Sequence, residues 1–300
     1  MCPEPLVSVI IPTYNCSALL PDAIQSALAQ TYSRLEVVVV DDGSTDNTQQ
    51  VVASFGDSVR YVHRPNGGTA AARNTGIRNS RGELFALLDQ DDRWLPQKLE
   101  HQVPLFDCAG LVGLVAGGGR VVSLATSRVT SEFEPSETID VHELLAWCGI
   151  ACASAVFSRD AIECVGLFDE TLAGTDDWDM WIRIASAYKV VGCRHRDVEI
   201  REHGSNQGRK LDRMYAMAER VIRKHLLLHE DCQECVRSSY YASARLRLDY
   251  YVKSSHQARE LWQAGRRVAS IGAKAKAVWR YPRAIGQVPS RISSIMRGVK

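Results

Sequence analysis

Asp89-Gln90-Asp91-Asp92 directly follows an apolar run, Leu84 to Leu88. Carboxylates two apart on an extended turn reach one hard cation together. Mg²⁺ or Mn²⁺ takes oxygen ligands and keeps positions open for phosphate oxygens. Such an ion neutralises a diphosphate as it leaves. Taken alone, the segment reads sooner as a solvated acidic turn capping the helix near Trp94, and it is the other carboxylates of the same rim that reverse this. Two further carboxylates, Asp41 and Asp42, close a second apolar run, Glu36 to Val40. Another acidic group, Thr175-Asp176-Asp177-Trp178-Asp179, opens an amphipathic stretch. The macrodipole favours one Asp at a helix N-terminus but explains three crowded together less well.

The elements that must position these residues alternate through the first third of the chain. Val7 to Ile11 is a short β-branched run ending at Pro12. Leu20, Ile24, Ala27 and Leu28 are spaced for one apolar helix face. Glu36 to Val40 is the next strand, and Ser44, Thr45 or Asp46 is available to cap the helix that follows, with Asp42 a better cap than Asp41. Val59 to His63 is a third strand, closed by the turn Pro65-Asn66-Gly67-Gly68. Ala70 to Asn79 reads as a helix and Leu84 to Leu88 as a fourth strand. This alternation predicts an α/β fold with a Rossmann-like, mostly parallel sheet flanked by helices. Ligands of such sheets bind beyond the carboxyl ends of the strands. Pro12 to Asn15, Asp41 to Gly43 and Asp89 to Asp92 therefore share one rim, which gathers five carboxylates. That crowding is costly unless a cation or hydrogen-bond donors offset it.

The pattern loosens after about residue 104. Ala109 to Val122, interrupted by glycines and Arg120, reads as a buried strand and turn, and Ile150 to Phe157 as a further strand. From about residue 208 the character is helical, polar and basic. The expected organisation is one domain over 1–207, in two parts that meet at about residue 104. A helical, basic extension covers 208–300.

The chain has 300 residues, 45% apolar and 24% charged, with a net charge of +1, so the whole molecule carries no nucleic-acid signature. From Leu261 to Lys300 there are nine Lys or Arg and no Asp or Glu, which leaves the first 260 residues at −8. Nine scattered cysteines, and no basic segment in Met1 to Pro5, predict reduced thiols in a cytosolic protein. No apolar stretch reaches the about 18 residues of a membrane span. His225, His229, Cys232 and Cys235 have zinc-ligand types, but lie too close in sequence to close readily around one ion.

VSVIIPTYN, VVVVDDGSTDNT, GGTAAARNTGIRNSRG, LLDQDD and GTDDWDMWIR occur in this order between Leu6 and Gln207. Together they resemble glycosyltransferase family 2, which has the GT-A fold; the resemblance makes 1–207 a catalytic domain, with a nucleotide-sugar half to about 104 and an acceptor half over 105–207. The resemblance implies single displacement with inversion from a nucleotide-diphosphate sugar, UDP by default, assisted by Mn²⁺ or Mg²⁺. It assigns Pro12 and Tyr14 to the nucleotide pocket, Asp41 to the base edge, and Arg73 to holding the nucleotide. Asp89 and Asp91 form the DxD pair with Gln90 between them, and Asp89 and Gln90 also count among the nucleotide-sugar contacts. Asp91, Asp89 and Asp92 are the implied metal ligands, and His203 completes that site or touches the diphosphate. Asp177 is the implied general base toward an acceptor hydroxyl. Asp176, Trp178, Asp179 and Arg201 position the acceptor or its loop, and Arg201 also stands near the diphosphate.

The basic tail suits an anionic leaflet, at about 1 kcal/mol per basic residue, and hence a lipid-linked saccharide acceptor at the inner face of the membrane. A solvated terminal helix is the competing reading. A nucleotidyltransferase would announce a Gly-rich basic loop after strand one, which Pro12-Thr13-Tyr14-Asn15 does not match. A non-catalytic nucleotide-sugar-binding protein on the same scaffold would have lost base or metal positions, and Asp177, Asp89 and Asp91 are all present.

Overall fold

The computed structural model describes residues 4–106, 111–203 and 211–263. The chain divides into two compact units, Met1–Arg209 and Lys210–Lys300.

The first unit begins with β1 (Val7–Thr13), α1 (Leu20–Leu28), β2 (Leu35–Asp41), α2 (Thr48–Ala53), β3 (Arg60–His63), α3 (Thr69–Arg78) and β4 (Leu84–Leu87). The strands pair in parallel in the order β3-β2-β1-β4. Every residue of β1 and β4 is buried. Strands covered on both faces need such continuous apolar runs. On α1, Leu20, Ile24 and Ala27 are buried, whereas Leu28 is exposed. One residue past Ala27 the helix has turned about 100° away from the core stripe.

β5 (Arg93–Trp94), α4 (Lys98–Gln102), β6 (Val112–Ser123), β7 (Arg128–Phe133), β8 (Thr138–Ile139), α5 (Val141–Ala146), β9 (Ala155–Ser158), α6 (Arg159–Val165), α7 (Asp176–Ala185) and β10 (Lys189–Glu202) complete the unit. The sheet continues β4-β9-β6-β10-β5. β9 runs antiparallel to both β4 and β6, while β6 and β10 are parallel. β7 and β8 pair outside that path, on β6 and β10.

Two expectations change here. The strand and turn anticipated over Ala109 to Val122 is one unbroken strand, β6, running through Gly117, Gly118 and Gly119. These glycines admit neighbouring backbone rather than a turn: a Cβ on Gly118 would lie 2.9 Å from the His195 carbonyl oxygen, and one on Gly119 2.6 Å from that of Val198. The strand anticipated over Ile150 to Phe157 begins only at Ala155, because Cys152–Ser154 is a 3-10 turn.

The second unit holds α8 (Leu211–Leu228) and α9 (Gln233–Gln263). The Tyr215 and Tyr250 rings meet edge to face at 5.0 Å. The Tyr250 hydroxyl donates to Asp212 Oδ1 at 2.6 Å, and that of Tyr215 donates to Asp249. His225 and His229 lie with ring centroids 6.1 Å apart and do not join Cys232 and Cys235 in a four-ligand cluster. Cys16, Cys148, Cys152, Cys164, Cys193 and Cys235 are free thiols. No described helix is long and apolar enough to cross a membrane. The basic tail lies almost wholly outside the described residues.

Candidate active site

The rim is laced together by the loops that leave β1, β2 and β4. The backbone N–H of Tyr14 and the hydroxyl of Thr13 donate to Gln90 Oε1 at 2.8 and 2.9 Å. Gln90 therefore ties the first loop to the Asp89–Asp92 turn. Asn15 takes a left-handed conformation, φ 47°, which its side chain tolerates. Its N–H donates to Ser44 Oγ at 2.9 Å, and its Oδ1 accepts the Thr45 N–H at 2.7 Å. Pro12 is buried within β1, while the Tyr14 side chain is 46% exposed at the rim.

Asp41 is buried at the end of β2. Its Oδ1 accepts the Ser44 N–H at 2.8 Å, and its Oδ2 accepts the Tyr61 hydroxyl at 2.6 Å. Asp42, anticipated as a helix cap, turns instead to the 64–68 loop. It pairs with Arg64 and accepts the N–H groups of Gly67 and Gly68 at 3.0 and 2.7 Å. Gly43 sits at φ +81°, and a Cβ there would lie 2.9 Å from the Asn66 nitrogen, so only glycine closes this turn. At the start of α2 it is Asp46 that accepts the Thr48 N–H, at 3.1 Å.

The four residues after β4 diverge. Asp89 Oδ1 faces Arg73 at 3.1 Å. Asp91 Oδ2 meets His203 Nε2 at 2.8 Å. Asp92 points inward and accepts the Arg201 N–H at 3.0 Å. Burial, then the like charges of Asp89 and Asp91, push the Asp92 carboxyl well above the usual range. Asp91 and His203 are thus brought together as metal-ligand types, whereas Asp92 serves the inside of the loop. Arg201, anticipated near the diphosphate, is buried and committed elsewhere. It donates to the Asp91 carbonyl, to Asp22 Oδ2 at 2.6 Å and to the Leu19 carbonyl at 3.3 Å. It braces the acidic loop against the start of α1.

The acidic cluster on α7 reaches this rim through one guanidinium. Arg73, on α3, is only 5% exposed. It donates to Asp176 Oδ2 at 2.6 Å and to Asp89 Oδ1 at 3.1 Å. It bridges two carboxylates rather than lying open to a nucleotide, and its Nε has no hydrogen-bond partner. Asp177, half-buried beside Asp176, accepts its neighbour Trp178's N–H at 2.8 Å. Desolvation first, then the charge of Asp176, raises the Asp177 carboxyl to about 6, against the opposing pull of Arg73. A carboxylate tuned toward neutrality at a site rim suits general-base work. Trp178 Nε1 donates to the Leu144 carbonyl at 2.6 Å, pinning α7 to α5. Asp179 is fully buried and pairs with Arg183 at 2.9 Å. Arg183 in turn donates to the Val165 and Leu167 carbonyls at 2.7 and 2.9 Å, so Asp179 stiffens the loop before α7.

Three supporting residues escaped the sequence reading. Asn74 exchanges hydrogen bonds with the Phe168 N–H and carbonyl at 2.9 and 3.0 Å and reaches Glu170 Oε1 at 2.9 Å. Tyr61 orients Asp41, and Arg183 secures the 165–167 carbonyls. Only Asn74 carried a signal, its place beside Arg73; the other two look like ordinary strand and helix residues.

The comparisons with known proteins fall on this framework. An uncharacterised glycosyltransferase of Rickettsia typhi is 36% identical over 199 residues, 62% of this chain and 61% of that protein. The chain therefore spans about three fifths of that relative's length. The Escherichia coli UDP-Glc:alpha-D-GlcNAc-diphosphoundecaprenol beta-1,3-glucosyltransferase WfgD is 32% identical over 181 residues, 60% of this chain and 69% of that enzyme. Among solved structures, the mannosyltransferase PcManGT of Pyrobaculum calidifontis, in complex with GDP-Man and Mn²⁺, aligns with a TM-score of 0.57 at 21% identity, covering 93% of this chain and 88% of that one. The architecture is that of GT-A glycosyltransferases. The profile described as Glycosyl transferase family 2 matches residues 8–166, and the chain belongs to that family.

Proposed function

We propose that this glycosyltransferase moves a sugar from a UDP-sugar to a hydroxyl of a saccharide acceptor, lipid-linked and met at the inner face of the membrane, with inversion at the anomeric carbon. The observation that carries the reading is the Asp89–Arg73–Asp176 bridge, at 3.1 and 2.6 Å. One buried cation couples the turn that meets the donor diphosphate to the helix that presents Asp177. In the proposed reaction Asp177 takes the proton of the acceptor hydroxyl as that oxygen bonds to the anomeric carbon. The bond from that carbon to the diphosphate breaks in the same displacement, so no sugar–enzyme intermediate forms. Tyr14 and Asp41 line the base pocket, with Asp41 fixed by Tyr61 and Ser44.

Asp91 and His203 are the pair that would take a divalent ion, with Asp89 joining them only on leaving Arg73. Asp91 and His203 stand 2.8 Å apart and partly exposed, with Asp89 on the same turn, and oxygen-rich sets with one imidazole suit Mn²⁺ or Mg²⁺. Such an ion supplies charge neutralisation to the leaving diphosphate. WfgD's UDP-Glc donor and lipid diphosphate acceptor support the UDP and lipid-linked choices. PcManGT's Mn²⁺ supports the metal.

The test is thermal melting with UDP, dTDP and GDP, each with Mn²⁺ and again with chelator. Ligand binding to the native state raises the midpoint by mass action. A rise with UDP that the chelator abolishes is the expected outcome. A folded protein that melts identically with all three nucleotides contradicts the reading.

A further inference from the structure

The segment between α5 and β9 holds Trp147, whose side chain is 43% exposed. A cavity of about 90 Å³ lies against it, lined by Glu134, Ser136, Glu143, Leu144, Trp147 and Ile150 among others. Two observations tie this cavity to the proposed base. The carbonyl of its wall residue Leu144 accepts Trp178 Nε1 at 2.6 Å, and Trp178 follows Asp177 directly. Burial, then the charge of Asp177, pushes the Cys148 thiol well above its usual range, so the residue after Trp147 lies within electrostatic reach of the base.

The chemistry of the lining is that of a sugar site. A pyranose offers an apolar C–H face and a rim of hydroxyls. An indole presents a large rigid apolar face, and an ionised carboxylate accepts from hydroxyls. Glu134 is engaged by Arg196 at 2.6 Å. Glu143 accepts the Ser136 hydroxyl through Oε1 at 3.1 Å. The N–H of Glu143 is capped by Asp140 at 2.8 Å, so the residue's backbone is fixed as well. We propose that Trp147 and this cavity form the acceptor-sugar subsite, the indole stacking on the C–H face of the acceptor pyranose while Glu143 accepts one of its hydroxyls. This rests on the glycosyltransferase reading above: the subsite holds the ring whose free hydroxyl is presented to Asp177.

The probe is a panel of methyl glycosides of glucose, galactose, N-acetylglucosamine and rhamnose, added to enzyme saturated with UDP and Mn²⁺. Tryptophan emission and the melting midpoint are read for the wild type, Trp147→Ala and Trp147→Phe. The proposal expects at least one glycoside to shift both readings in the wild type. W147A should weaken that binding about tenfold, as loss of a stacking contact worth about 1.4 kcal/mol would. W147F keeps an aromatic face and should retain most of the midpoint shift. The rise caused by UDP and Mn²⁺ should be equal in all three proteins, which also shows that each is folded. A glycoside that stabilises W147A as well as the wild type overturns the subsite. So does a wild type that UDP stabilises but no glycoside perturbs. Failure of UDP itself to stabilise the wild type would instead strike the donor reading.

Discussion

Replacing Arg73 by methionine removes a cation shared by Asp89 and Asp176. Arg73 is 5% and Asp176 1% exposed, so the pair is out of reach of bulk water. Breaking a buried pair by deleting one partner costs about 3–5 kcal/mol, because the remaining charge has no compensation. In a protein of this size that corresponds to a fall in melting midpoint of roughly 10 °C. Asp89 adds little to the loss, since its side chain is 32% exposed and hydrates when released. The second arm is Arg73→Met with Asp176→Asn. Removing both partners leaves no buried charge, so the double variant should recover much of the stability, with a coupling of about 2 kcal/mol or more. The assay is thermal and urea unfolding of wild type, both single variants and the double variant. An R73M protein within about 1 kcal/mol of wild type, or a double variant whose loss equals the sum of the singles, refutes the reasoning. The same substitution removes the cation that holds the Asp177 carboxyl down, so the acid limb of the activity profile should move to higher pH.

In the wild type, transfer needs Asp177 as carboxylate, so kcat/KM should fall with unit slope as pH drops through about 6; a profile flat from 7 to 5 would exclude Asp177 as the titrating base. Asn74→Ala strands the Phe168 N–H and carbonyl and should cost about 2–3 kcal/mol by urea unfolding, with a loss under 0.5 kcal/mol speaking against the role of that clasp. Lys98 is buried with its Nζ 4.0 Å from the Trp94 ring centroid and without a hydrogen-bond partner, and burial lowers its amine to about 7. A lysine whose folded pKa lies below its unfolded value of about 10.4 costs stability progressively as pH falls from 10.4 to 7. Lys98→Met should therefore melt higher than wild type at pH 7, with the difference shrinking toward pH 10.5; a difference independent of pH would remove this titration from the account.

The parallel half of the sheet was legible because each strand is a continuous apolar run closed by a turn signal, as Val37 to Asp41 illustrates. The residues that end those strands were legible for the same reason: topology alone carries Tyr14, Asp41 and Asp89 to one rim. The second half resisted reading. Gly117, Gly118 and Gly119 look like a turn in one dimension, and only the close approach of the Ser154, His195 and Val198 carbonyls explains why they continue a strand. Partners distant in sequence were equally hidden. Arg73 and Asp176 lie 103 residues apart and Asp92 and Arg201 109 apart, so nothing local distinguishes a buried bridge from a ligand-facing charge. The residue types marked the candidate groups, while their orientation came from side chains such as Tyr61, Asn74 and Arg183 that carry no motif.

The most direct test of the central claim is release of UDP from a panel of UDP-sugars with Mn²⁺, comparing wild type with Asp177→Asn. The account predicts that the wild type cleaves at least one donor. It predicts that D177N loses about 10²–10⁴-fold in turnover while its melting midpoint still rises with UDP and Mn²⁺ as in the wild type. Turnover by D177N at the wild-type rate, or a folded wild type that binds UDP yet cleaves no donor in the panel, would contradict it.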